Sequence, residues 1–109
     1  MATTYKVLGQ SNPAATTLTT LYTVPSATEA VVSTISVANI SGSAITYRIA
    51  IRPDGASVAN QHYLAYGASL PANSTTAFTL GITLNAADVI SVYASDTNAV
   101  FQAFGTEIA

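Results

Sequence analysis

Turn residues cut this chain into short extended pieces, and that spacing constrains the fold more than any other feature. Gly, Pro, Asn, Asp and Ser gather at Gly9-Gln10-Ser11-Asn12-Pro13, Pro25, Ser41-Gly42-Ser43, Pro53-Asp54-Gly55, Pro71-Ala72-Asn73, Asn85-Ala86-Ala87-Asp88 and Ser95-Asp96-Thr97-Asn98. Proline presets φ, glycine tolerates positive φ, and Asn and Asp bond their own backbone, so each cluster turns the chain for a physical reason. Between them lie eight runs dominated by β-branched and aromatic residues, at 4–8, 18–24, 29–40, 45–52, 61–66, 75–84, 89–94 and 99–108. No long stretch repeats apolar residues at helical spacing. Eight strands at this spacing predict an all-β chain, a single-domain antiparallel β-sandwich over residues 1–109 of jelly-roll or immunoglobulin-like type.

Period-two alternation assigns faces. In the fourth run Ile45, Tyr47, Ile49 and Ile51 fall on one side and Thr46, Arg48, Ala50 and Arg52 on the other, so one face meets the core and the other meets water or a partner. In the third run Val31, Ile35 and Val37 alternate against Val32, Thr34, Ser36 and Ala38. The short polar Ser41-Gly42-Ser43 link between these two runs predicts a β-hairpin. In the sixth run Phe78, Leu80, Ile82 and Leu84 share a face, and Gly81 inside it marks a bulge or a close backbone approach.

Composition then limits what such a sandwich does. Charged residues make up 7% of the chain and apolar ones 50%, against about 25% charged in an ordinary soluble domain. Solvent-facing positions are therefore filled by Thr, Ser, Ala and Asn, and little charge repulsion keeps copies apart, which points to assembly. Lys6, Arg48 and Arg52 oppose Glu29, Asp54, Asp88, Asp96 and Glu107 for a net charge of −2. Three scattered cations make no nucleic-acid footprint. The absence of cysteine removes disulfides, thiolate metal sites and thiol nucleophiles. Met1-Ala2-Thr3-Thr4 leads straight into patterned sequence without a basic-then-apolar leader, and no apolar run reaches membrane-spanning length, so a soluble protein is expected.

The residues that carry chemistry are sparse. His62 is the one histidine; it is expected on the fifth strand beside Leu64 and Tyr66, as a half-buried or interface imidazole rather than a metal ligand or base. Asp54, Asp88 and Asp96 sit in turns, where carboxylates cap local backbone amides; a calcium site would need more clustered acids than these. No serine stands in a G-x-S-x-G elbow, and Gly9, Gly42, Gly55 and Gly67 read as isolated turn glycines rather than a phosphate loop. Asn39-Ile40-Ser41 and Asn73-Ser74-Thr75 match the glycosylation pattern, which chance produces readily. No cofactor, metal or catalytic residue is expected. The tyrosines Tyr5, Tyr22, Tyr47, Tyr63, Tyr66 and Tyr93 are the more informative set, because tyrosine gives contact area at low entropy cost and tolerates partial exposure. Tyr5, Tyr63, Tyr66, His62, Arg48 and Arg52 form the candidate interface, and Asn60, Tyr63, Tyr66 and Asp96 the candidate contacts of a glycan-binding alternative.

The opening Thr3-Thr4-Tyr5-Lys6-Val7-Leu8-Gly9-Gln10, then Leu21-Tyr22-Thr23-Val24-Pro25 and Val31-Val32-Ser33-Thr34-Ile35-Ser36-Val37-Ala38-Asn39, bear a likeness to known proteins. Arg48-Ile49-Ala50-Ile51-Arg52-Pro53, Asn60-Gln61-His62-Tyr63 and Asp88-Val89-Ile90-Ser91-Val92-Tyr93-Ala94 extend it nearly end to end. On these residues the chain resembles a family of small virion structural proteins of tailed bacteriophages, particularly those of cyanobacteria and other aquatic hosts. The resemblance implies a β-sandwich on the outside of a particle, as a capsid decoration (cement) subunit or as a tail, baseplate or fibre component, and it carries over no catalytic residue. The expected partners are the chain itself, as a homotrimer, and the major capsid protein. Nucleic acid and membrane are not expected partners.

Overall fold

A computed structural model describes residues 2–109. Among them eight strands form two four-stranded sheets: β1 (Thr3–Ser11), β2 (Thr19–Thr23), β3 (Glu29–Asn39), β4 (Ile45–Arg52), β5 (Tyr63–Leu70), β6 (Thr75–Leu84), β7 (Val89–Ala94) and β8 (Ala99–Ile108). One sheet has the order β1-β8-β3-β6 and the other β2-β7-β4-β5, with antiparallel pairing throughout. The first half of the chain therefore pairs with the second in reverse, β1 with β8, β2 with β7, β3 with β6 and β4 with β5. That long folded ribbon, rolled so that its rungs alternate between two sheets, is a jelly roll, which decides between the two sandwich types the sequence left open.

The core follows from alternation. Val32, Ile35, Val37, Ile49, Leu70, Ile90, Val92 and Phe101 are fully buried between the sheets, each worth about 1.5–3 kcal/mol relative to exposure. Tyr47 fills the middle, its ring edge-on to Phe78 and to Phe101 at 6.3 Å in each case.

Two readings of the sequence change here. The β3–β4 link is no hairpin: the two strands lie in different sheets, and residues 40–44 cross from one to the other. Asn39, buried at the corner, makes that crossing rigid, donating from Nδ2 to the carbonyls of Ser43 (2.8 Å), Leu70 (3.2 Å) and Pro71 (3.2 Å) and accepting from the Ser41 amide at 2.9 Å. The first acceptor pattern for glycosylation thus sits on a side chain already spent on the fold. The faces of β3 also differ from strict alternation. Ser33 is an extra residue at the Phe104/Gly105 step of β8 and stands opposite two residues, Leu80 and Gly81, of β6, so Val32 rather than Val31 enters the core with Ile35 and Val37. Gly81, at φ 66°, lies in that bulge as its sequence context suggested.

The connections segregate by end. The β1–β2, β3–β4, β5–β6 and β7–β8 links lie at one end of the 45 Å long axis, tied by bonds such as Ile40 N–H to Asn98 O and Asn73 N–H to Ser41 O. The β2–β3, β4–β5 and β6–β7 links lie at the other, where Val24 N–H donates to Asp88 O, Ala87 N–H donates to Val24 O, and Asp54 N–H donates to Asp88 Oδ1 at 2.8 Å.

Candidate functional site

The outer face of the β2-β7-β4-β5 sheet is built by strand register alone. Arg48 on β4 stands opposite Tyr93 on β7 and Tyr66 on β5, giving one cross-strand row. The next row is Thr20, Ser91, Ala50 and Tyr63, and the third brings Arg52 beside Val89 and Thr23. Gly67 and Leu64 are extra residues on β5. The bulge at Leu64 keeps Tyr63 and Tyr66 on the same face despite their odd spacing, with rings edge-on at 4.8 Å.

Within the first row the Arg48 guanidinium lies between two rings, 4.0 Å from the Tyr93 centroid and 4.3 Å from that of Tyr66. Each such stack is worth about 0.5–1 kcal/mol at an exposed site, and together they restrain the guanidinium at the centre of the row. Tyr66 is 62% exposed. Arg52 behaves differently: Nε donates to Ala56 O at 2.7 Å, one terminal nitrogen to Ser91 Oγ at 3.0 Å and the other to Gly55 O at 3.1 Å. It pins the loop after β4 and covers Ser91, which is fully buried although it lies on an outer face.

Of the candidate interface residues, the structure gathers Arg48, Arg52, Tyr63, Tyr66 and His62 on or beside this face and leaves Tyr5 on the other sheet. His62 is not on the fifth strand with Leu64 and Tyr66 as expected; it closes a 3-10 turn, Asn60–His62, before β5 starts at Tyr63. Its Nδ1 accepts from the Ala59 amide at 3.0 Å, which puts the ring proton on Nε2. His62 lines an open depression of about 500 Å³ with Ile51, Pro53, Gln61, Tyr63 and Leu64, at the rim of the aromatic rows. Tyr93 completes the arginine stack and was legible only once β4 and β7 were known to be neighbours. The glycan contacts do not assemble: Asn60 belongs to the β4–β5 link and Asp96 to the β7–β8 link at the opposite end.

On the other sheet, Tyr5 (82% exposed) and Val7 lie on the edge strand β1, opposite Thr106 and Phe104 of β8, on an outer face that mixes Thr, Ser and Gln with Val31, Ala38, Ala77 and Val100. Between the sheets at that flank, Tyr22 Oη donates to Glu107 Oε2 at 2.6 Å and Lys6 Nζ meets Glu107 Oε1 at 3.3 Å. The Tyr22 hydrogen bond, seconded by Lys6 and opposed by burial, holds the Glu107 carboxyl below its ordinary range; burial, with the Glu107 contact adding, pushes the Tyr22 phenol up.

The acidic turns hold backbone. Asp88 accepts from the amides of Asp54 and Asn85, and Asp96 from the amide and side chain of Asn98. No group of three or more His, Cys, Asp or Glu stands together among the described residues, and no helix there is long and apolar enough to cross a membrane. Comparison with protein-family models, with curated proteins and with solved structures found no match.

Proposed function

We propose that this chain is a non-enzymatic structural subunit of a tailed-bacteriophage virion, a homotrimeric capsid decoration protein that seats on the outer surface of the major capsid shell. One observation carries the reading: the outer face of β2-β7-β4-β5 carries two arginines and no acid, and presents ordered rows of tyrosines around the stacked Arg48. Faces of this composition suit burial against other subunits, since tyrosine and arginine are favoured at interface centres and few charges need desolvation. The jelly roll is a recurring unit of viral shells, though it also builds lectins and cupins. The resemblance read in the opening octet and the later stretches from Leu21 to Ala94 is what points to a phage particle. A decoration subunit fits a rigid domain whose side chains are spent on packing and turns.

Gold-labelled antibody on intact particles tests the location. Label over the heads is expected. Label confined to tails moves the protein to a tail, baseplate or fibre, and particles without label contradict a virion role. In a second assay the purified chain is expected to cosediment with purified shells; a strict monomer that ignores them counts against decoration.

A further inference from the structure

Accounting for every charge leaves three groups unmatched. Lys6 pairs with Glu107, the donors of Arg52 go to Ala56 O, Gly55 O and Ser91 Oγ, and Asp88 and Asp96 accept from turn amides. Among the described residues, no side-chain hydrogen bond or ion pair engages Arg48, Glu29 or Asp54, and both acids are exposed. Their positions are complementary. Arg48 stands on the outer face of β2-β7-β4-β5, whose strands contain both arginines and no acidic residue. Glu29 opens β3 and Asp54 follows β4, so both lie at the end that carries the β2–β3, β4–β5 and β6–β7 links.

From this placement we infer that copies of the chain associate head to tail, the Tyr93–Arg48–Tyr66 row of one receiving Glu29 or Asp54 from the end of the next. The inference rests on the homo-oligomeric reading above and supplies its contact. A face-to-face pair of like copies would set arginines against arginines, whereas an end-to-face contact joins opposite charges. The ring-clamped guanidinium has N–H donors with no hydrogen-bond partner among the described residues, and pairing them with a carboxylate leaves little further ordering to lose. An end-to-face contact is heterologous, and it closes into a ring where its rotation allows, as a trimer requires.

The edges support faces over edges as the contact. With no Lys or Pro on β5 or β6, bulges occupy each edge strand instead: at Leu8 of β1, Leu21 of β2, Leu64 and Gly67 of β5, and the Leu80-Gly81 step of β6. Bulged edges resist strand addition by a second copy.

The test is light scattering on size-exclusion fractions of the full chain at low and high salt, with circular dichroism as the control for folding. The wild type is expected to be an oligomer that loosens in high salt. Arg48→Glu, and the milder Arg48→Gln, are expected to weaken association at least tenfold while melting as cooperatively as the wild type. Combining Arg48→Glu with Glu29→Lys and Asp54→Lys is expected to restore the oligomer. A monomeric wild type, an Arg48→Glu protein that stays assembled, or a triple variant that stays dispersed overturns the head-to-tail contact. If the wild type is monomeric yet still cosediments with shells, the contact fails and the decoration reading stands.

Discussion

At the scale of single residues, burial and hydrogen bonding separate positions that look alike in the sequence. Ile49 and Arg52 lie three apart on β4, but Ile49 is fully buried. Ile49→Asp puts an unpaired carboxylate in the core, several kcal/mol against a total stability of about 5–15 kcal/mol, and is expected to abolish cooperative unfolding in urea. Arg52→Ala loosens the loop after β4 and is expected to leave the fold intact; the reverse outcome would mean the faces of β4 are assigned backwards. Asn39→Leu strips partners from three carbonyls and an amide at a buried corner and is expected to cost on the order of 3 kcal/mol, read from the same urea melts. Tyr22 and Glu107 make stability depend on pH at both extremes. Glu107, held below its unfolded value of about 4.3, contributes stability that is present at neutral pH and lost as pH falls through its folded value. Tyr22, raised above its unfolded value of about 10, contributes stability that is full below that value and lost as pH rises through its folded one. Tyr22→Phe is therefore expected to flatten both limbs of a stability-against-pH curve, and superimposable curves would show the pair is not linked to folding.

At the scale of elements, the sequence told the strands well and their partners badly. All eight runs became strands because β-branched alternation and turn chemistry are local properties, present in the residues themselves. Pairing is not local: Ser41-Gly42-Ser43 is as good a link between sheets as within one, and only the corner bonds of Asn39 distinguish the two. Bulges were the second blind spot. One extra residue reverses every later face, so Val31 and Val32 exchanged sides at Ser33, and Gly9 and Gly67 read as turn glycines although they lie inside β1 and β5. The arginine and tyrosines of the candidate surface were visible as residue types, whereas their convergence depended on β7-β4-β5 order and on the bulge at Leu64. The close approach of β3 to β8 gives a sharp check. A Cβ on Gly105 would overlap the Val31 carbonyl oxygen, while one on Gly42 would meet open space. Gly105→Ala is expected to lower the thermal midpoint steeply and Gly42→Ala to leave it nearly unchanged.

At the scale of the whole molecule, a rigid sandwich of 45 × 27 × 20 Å with bulged edges and weakly charged faces is suited to contact through its faces and ends. On the proposed function it is a piece of a larger surface, with the arginine row engaged by a neighbouring copy and the remaining surface available to the shell. The most direct measurement of the proposed role is an electron cryomicroscopy map of an intact particle assembled with the chain. The account expects jelly-roll density of these dimensions repeated on the outer face of the capsid shell, in rings of three, with the β2-β7-β4-β5 face turned toward an adjacent copy. A fully interpreted particle without this domain, and the chain found instead dispersed as single molecules turning over a substrate, would contradict it.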